Sequence, residues 1–175
     1  MEIFQTERLK IRQFVKGDYQ DYSRLDSNPE VMRYIGKIRN HQEMTDRFHK
    51  ILEYYKEFPE FGIWALVGSN DDNFHGWVCL KHLDSSEEIE VGYRLMHNSW
   101  GNGFATEASF GLLDYGFREL GLDRIVAVTI QENQSSQNVL RKIGMKFEKM
   151  ANFYNTDVLY FGLSRIDYLN KKTKF

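Results

Sequence analysis

Apolar and charged residues alternate in TERLKIRQF: Leu9, Ile11 and, less strictly, Phe14 fall between charges, as in a strand with one buried face. In KGDYQDYSRLDSNPEVMRYI the pattern predicts a helix, a break at Asn28-Pro29 and a short helical turn. The break has a cause, since the residue before proline is pushed out of helical geometry. The period then lengthens in HQEMTDRFHKILEYYKEF, where Met44, Phe48, Ile51, Leu52 and Tyr55 line one face of a helix. Two strands, FGIWALVGS and NFHGWVCLKHL, flank the turn-forming NDDN, and a third, EEIEVGYRLM, follows DSSE. A helix from Gly103 to Leu120 comes next, with Gly121 placed to stop it. DRIVAVTI is a near-continuous β-branched run, suited to a strand buried on both faces. QSSQNVLRKIGM predicts a second helix ending at Gly144, and KFEKMANFYNTDVLYFGLSRIDYL supplies two closing strands.

This order predicts an α/β fold with about seven strands. Its middle strands pair antiparallel, and a helical crossover precedes DRIVAVTI. With no internal repeat and no linker, residues 1–175 read as a single domain.

Composition narrows the function classes. A hydrophobic fraction of 42% and an aromatic fraction of 15%, with two prolines, describe a globular chain rather than a disordered one. A net charge of −2 gives no general attraction to nucleic acid or anionic membrane, and the basic tail NKKTKF is short. No run reaches the roughly 18 apolar residues of a membrane span, and MEIFQTERLKIRQF lacks the apolar centre of a signal peptide. A single cysteine, Cys79, excludes an internal disulfide framework and fits a reducing, cytoplasmic setting. Its place in HGWVCLKHL reads as a core thiol, and the five histidines show no ligand-like spacing, so no metal is expected.

The chemistry enters at NSWGNGFATEASF. Gly101 and Gly103 stand just before a predicted helix, where a side-chain cap would ordinarily serve better. Glycine leaves the helix N-terminus open, and an open N-terminus offers unpaired N–H groups and a favourable dipole to an anion such as pyrophosphate. The turn is neither a Walker loop, since no Lys-Ser or Lys-Thr follows, nor a dinucleotide fingerprint, since the third glycine is missing. On its own a Gly-x-Gly pair fits a phosphate cradle or simply a tight turn.

The context is more specific. With EIEVGYRL before the turn and DRIVAVTIQENQSSQNVLRKIGMKFE after it, the chain resembles the GNAT superfamily of acetyl-CoA-dependent N-acyltransferases, in its RimJ/RimL-like branch. The resemblance begins at TERLKIRQF, includes NPEVMRYIG, and is densest from Glu90 to Glu148; Trp100 departs from it, standing where many members carry Arg or Gln. It implies a mixed, mostly antiparallel sheet with helices on both faces. It also implies acetyl-CoA as cosubstrate, its pyrophosphate on the backbone of Gly101, Asn102, Gly103, Phe104, Ala105 and Thr106, and its pantetheine arm beside Leu95, Met96 and His97. Asn133, and more weakly Asn138, would bind the same arm. A homodimer is a family-level expectation.

Strand alternation puts Ile89, Val91, Tyr93 and Leu95 on one face of EEIEVGYRLM and Glu88, Glu90, Gly92 and Arg94 on the other. The resemblance makes Glu90 the general base; as an ordinary strand residue it would pair with Arg94 or meet solvent. An α-amine of pKa near 7.8 needs about 1 kcal/mol to be neutral at pH 7 and a lysine amine about 4.6, which favours α-amines. If the coenzyme thiol is like cysteine, expelling it unprotonated costs about 2 kcal/mol. The tyrosine acid of many relatives is replaced by Leu140. Ser136, one turn earlier, either donates to the sulfur or helps begin the helix. Glu107 would serve the helix dipole, and a backbone N–H near Leu95 or Met96 the oxyanion. The acceptor pocket is expected around Tyr34, Trp64, Trp77 and ANFYN. Two readings follow: an N-acetyltransferase acting on a protein N-terminus or small-molecule amine by direct attack, or a catalytically degenerate coenzyme A-binding regulatory domain.

Overall fold

The computed structural model describes residues 1–172, so the last three residues of the basic tail lie outside the described part. The strands are β1 (Glu2–Gln5), β2 (Leu9–Gln13), β3 (Gly62–Gly68), β4 (Phe74–His82), β5 (Ile89–Leu95), β6 (Arg124–Thr129), β7 (Lys146–Phe153) and β8 (Thr156–Ser164). They form one eight-stranded sheet in the order β1-β2-β3-β4-β5-β6-β8-β7. Every neighbouring pair is antiparallel except β5 and β6. The eighth strand is β1, too short at EIFQ to show an apolar period.

The helices are α1 (Tyr19–Asp26), α2 (Pro29–Met32), α3 (His41–Glu57), α4 (Phe104–Asp114), α5 (Gln134–Lys142) and α6 (Arg165–Lys172). The Asn28 side chain caps α2, with Pro29 at its first position, so the predicted break is also a start. A reciprocal box between Asn40 and Glu43 opens α3. Helix α4 runs into a π turn at Tyr115–Glu119 and ends at Gly121, whose φ of 68° suits a residue without a Cβ. The closing segment differs from expectation: after β8 the chain turns into α6, whose Tyr168 is buried against Phe117.

Two apolar cores lie on opposite faces of the sheet. One gathers Ile89, Val91 and Leu95 of β5 with Leu112 and Leu113 of α4 and Leu140 of α5. The other gathers Trp77 and Cys79 of β4 with Tyr22 and Leu25 of α1 and Phe48 and Ile51 of α3. Helices thus cover both faces, and the strand alternation of β4 and β5 decides which side chains meet which layer.

The parallel junction between β5 and β6 positions the site. A single register pair, Glu90 with Val126, joins the two strands. Beyond it they separate, and the gap opens toward the end of β5 from which α4 departs. The Met96 N–H donates to the His75 carbonyl across the β4 side (2.8 Å), so by alternation Tyr93 and Leu95 turn their peptide groups toward the gap.

Candidate active site

A cavity of about 580 Å³ passes through this gap and reaches both layers. On the α4–α5 side it is lined by Tyr93, Ser109, Asn133, Ser136 and Leu140; on the α1–α3 side by Arg47, Ile51, Trp77, Cys79, Glu90 and Arg94. Tyr34 and Ile35 after α2, and Phe153 and Tyr154 in the β7–β8 turn, form its rim.

Glu90 is 6% exposed. Its partner is not Arg94 or solvent but Lys81, directly across on β4, at 2.5 Å. The Tyr154 hydroxyl donates to the same Glu90 oxygen, and the Lys81 Nζ donates to the Tyr154 oxygen at 2.8 Å. Burial opposes the Lys81 charge, but the neighbouring carboxylate outweighs it and holds the lysine above its ordinary value. Burial, reinforced by Glu90, pushes the Tyr154 phenol up to about 12. Tyr154 has φ 55° and Asn155 φ 56°, a left-handed pair that folds the tight β7–β8 turn and swings the phenol onto β5. Burial first, then Glu90, pushes the Cys79 thiol up to about 12, so it is a protonated core thiol and no nucleophile near neutral pH.

Arg94 pairs instead with Asp26 of α1 at 2.5 Å, with side chains 6% and 0% exposed. Its guanidinium lies over Trp77, 4.8 Å from the ring centroid. Burial lowers its pKa against the pull of Asp26. Sequence reasoning missed this pair because Asp26 and Arg94 lie far apart along the chain. The one available signal was an acidic residue on the apolar side of α1, where Leu25 and Tyr22 point.

On the other side of the gap, Asn133 caps α5, its side-chain oxygen accepting from the Ser136 N–H at 3.1 Å. Helix initiation therefore falls to Asn133 rather than to Ser136. Ser136 stands beside the Tyr93 phenol in the cavity lining; burial holds that phenol above its ordinary value, and the nearby serine works the other way. Leu140, in the place of the missing tyrosine, packs in the core. Asn138 is exposed, accepting from Arg141 at 3.4 Å, and does not face the cavity.

The glycine turn lies outside this cavity, where Asn102 and Phe104 border a separate surface depression with His75, Asn98 and Ser99. Gly101 (φ 77°) and Gly103 (φ 81°) both adopt left-handed backbone, and Gly103 stands at the N-cap of α4 with no side-chain cap. The first helical amide to donate is that of Glu107, to the Gly103 carbonyl at 3.0 Å. The amides of Phe104, Ala105 and Thr106 thus project from the helix end with no backbone partner among the described residues. A Cβ added at Gly101 would meet nothing within 4 Å, so space is open where an anion would approach. These residues fit a pyrophosphate. Glu107 ties the helix to the β1–β2 turn, accepting from Thr6 Oγ1 (2.6 Å), the Arg8 N–H (2.9 Å) and Arg8 Nε (2.7 Å). Arg8 also donates to the Asn102 carbonyl at 3.0 Å, bracing the turn from a residue the glycine motif alone does not reveal.

Leu95, Met96 and His97 sit between the two regions. Trp100 Nε1 occupies the Leu95 carbonyl (3.0 Å), and the Met96 N–H is committed to His75, which removes Met96 as an oxyanion donor and leaves Leu95. Trp64 is also corrected: it is fully buried in the α4-side core, edge-on to Tyr115, and does not line the cavity. Tyr34, Trp77 and the Phe153–Tyr154 turn do line the cavity.

The chain matches the acetyltransferase (GNAT) domain family over residues 8–146. It is 31% identical over 155 residues to the uncharacterized N-acetyltransferase YoaA of Bacillus subtilis, covering 87% of each chain. Among solved structures it superposes with TM-score 0.75 and 21% identity on a Vibrio cholerae spermidine N-acetyltransferase in complex with CoA and spermine, covering 94% of this chain and 100% of that one. It superposes with TM-score 0.77 and 21% identity on a ribosomal-protein-S5-alanine acetyltransferase from Vibrio fischeri, covering 96% and 98%. Two proteins named for such different acceptors share this fold, so the fold leaves the acceptor open. The chain belongs to the GNAT family of acetyltransferases and is an acyltransferase.

Proposed function

We propose that the whole chain is one catalytic domain. It transfers an acetyl group from acetyl-CoA to a primary amine by direct attack within a ternary complex. The observation that carries the reading is the cavity crossing the sheet, because it brings Glu90 from the α3 side and Ser136 from the α5 side to one space beside the β5–β6 gap.

Bound acetyl-CoA supplies the activated thioester. The α4 N-terminus, from Gly101 to Thr106, holds its pyrophosphate, and the peptide group of Tyr93 on the open side of β5 aligns the pantetheine, with Asn133 beside it. Glu90 accepts the proton of the attacking amine. Lys81 supplies its counter-charge, and the Tyr154 hydroxyl orients it. The Leu95 N–H, turned toward the gap, is the oxyanion donor. Ser136, beside Tyr93 in the cavity lining, hydrogen-bonds the departing sulfur in place of the tyrosine that Leu140 replaces.

An α-amine suits a carboxylate base better than a lysine amine, since it is nearer to neutral at pH 7. This favours the RimJ/RimL-like assignment, with a protein N-terminus or small-molecule amine as acceptor; a cytoplasmic location and a homodimeric state complete the proposal. No helix among the described residues is long and apolar enough to cross a membrane. The test is release of free thiol from acetyl-CoA across a panel of peptide N-termini, amino acids and polyamines. Turnover dependent on both substrates supports the reading; tight coenzyme binding with no amine-dependent thiol release would sink it.

A further inference from the structure

The acceptor side of the cavity carries more positive charge than the chain as a whole. Net charge is −2, yet Arg39, Arg47, Lys50, Lys81 and Arg94 line the cavity against one lining carboxylate, Glu90. Lys81 is matched by Glu90. The three arginines share one counter-ion, Asp26, which meets Arg94 at 2.5 Å and Arg39 only at 4.0 Å. Arg47 has no ion pair among the described residues, and it lies close enough to Arg94 for the two charges to repel. Arg47 Nε, Arg39 Nη1 and Arg94 Nε are buried with no hydrogen-bond partner among the described residues. Buried guanidinium groups left short of both counter-charge and acceptors are destabilising unless an anion joins them.

The coenzyme does not account for that anion. Its pyrophosphate site at α4 is on the other layer, and the arginines come from α1–α3 and the opposite face of β5. They flank the base instead. Glu90 and Arg94 share a strand face four residues apart, about 13 Å between Cα atoms at the usual strand rise, and Gly92 between them leaves the intervening floor without a side chain.

We infer that the acceptor is an amine carrying a carboxylate several bonds away, the amine at Glu90 and the carboxylate bound by Arg47, Arg39 and Arg94. Short peptides with a free C terminus have this form. A polycation such as spermidine meets five like charges. The inference rests on the acetyltransferase reading and names its substrate class.

The test compares short peptides having a free C terminus with the same peptides C-terminally amidated, and with spermidine, by thiol release from acetyl-CoA. Wild type should favour the free acid by about tenfold or more in kcat/KM, the size of one charge-assisted hydrogen bond. Arg47→Gln should erase most of that preference, through KM for the acid. It should also raise the melting temperature of the unliganded protein, where a purely structural arginine would lower it. Arg39→Gln, at a more accessible position, should lower the same preference in part and serves if Arg47→Gln does not fold. Equal rates for acid and amide in wild type would overturn the inference while leaving acetyl transfer intact. Weakened coenzyme A binding in Arg47→Gln, with the acid preference unmoved, would also overturn it by giving the arginines to the coenzyme. If no amine releases thiol, the transfer reading fails and melting temperatures decide. A free-acid peptide that stabilises wild type but not Arg47→Gln supports the anion site, and one that stabilises both equally, or neither, refutes it.

Discussion

At the start of α4 the protein presents backbone; at the α1–α3 side of the sheet it presents side chains, most of them buried. The glycine turn is exposed, uses positive φ angles and leaves amides free, and its charged brace among the described residues is Arg8 with Glu107. The base side has Glu90 and Arg94 at 6% exposure, each tied to a partner on another element. The contrast has a chemical reason. A pyrophosphate is always the same anion and can be met by N–H groups in a fixed turn, with water still nearby. Moving a proton and choosing an acceptor demand charges whose strength depends on exclusion of water and on specific neighbours. Changes at the base side should therefore be large and hard to separate from folding, whereas changes at the turn should be small and separable.

The largest effect tests the base. Glu90→Gln keeps shape and hydrogen bonding near Lys81 and Tyr154 but removes the proton acceptor, so kcat should fall by about 10²–10⁴-fold with little change in KM for acetyl-CoA. The deficit should shrink as pH rises toward the amine's own pKa, where less help is needed. A flat ratio of mutant to wild-type rate across that range would reduce Glu90 to a structural partner of Lys81.

Next comes the buried pair. Asp26→Asn leaves the Arg94 charge with no other ion-pair partner among the described residues, and breaking such a pair typically costs about 3–5 kcal/mol. Denaturant unfolding should show the loss as a lower midpoint with an unchanged slope. If Asn is tolerated within about 1 kcal/mol, Arg94 is relieved by solvent and the cavity is wetter than its burial implies.

The same contrast explains what the sequence disclosed. Gly101 and Gly103 act through local backbone, so a few contiguous residues announced an uncapped α4, whereas the sequence offered Asn133 as a pantetheine ligand and not as the α5 cap it is in the structure. Strand alternation likewise assigned Glu90 and Arg94 to the face away from the α4 core. It could not supply their partners. Lys81 faces Glu90 through the β4–β5 register, Tyr154 reaches it from a hairpin 64 residues on, and Asp26 meets Arg94 only when α1 packs on β4. Trp64 and Trp77 show the same limit from the other direction. Both are strand tryptophans, yet β3 turns one fully into the core while β4 turns the other to the cavity.

At the turn, Gly103→Ala should cost about 1–2 kcal/mol, because an L-residue at φ 81° is strained and its Cβ would meet Arg8 at 3.4 Å. The added methyl also narrows the approach to the α4 amides, so KM for acetyl-CoA should rise while kcat holds. Gly101→Ala, with nothing within 4 Å of its Cβ, isolates the backbone contribution from the steric one. Equal effects on coenzyme binding would mean that conformation, not space, is what the glycines provide.

The smallest effect is the most diagnostic of the turn's brace. Burial opposes ionisation of Glu107, but bonds from Thr6 and from the Arg8 backbone and side chain outweigh it, and the carboxyl is held below its ordinary value. A depressed folded-state pKa contributes stability that is complete above the unfolded value and fades as pH falls through the folded one. Glu107→Gln should therefore cost about 1 kcal/mol at neutral pH, since Arg8 is largely exposed. As pH falls through the lowered folded-state value, the mutant and wild type should converge. A difference that persisted in acid would show the contribution to be shape rather than charge. With Arg8 released, its bond to the Asn102 carbonyl should weaken too, giving a modest rise in KM for acetyl-CoA at neutral pH that disappears if Arg8 is removed first. Such dependence would show that even this backbone-built site is held in place by one pair of charges, at the point where it departs least from the side-chain site across the sheet.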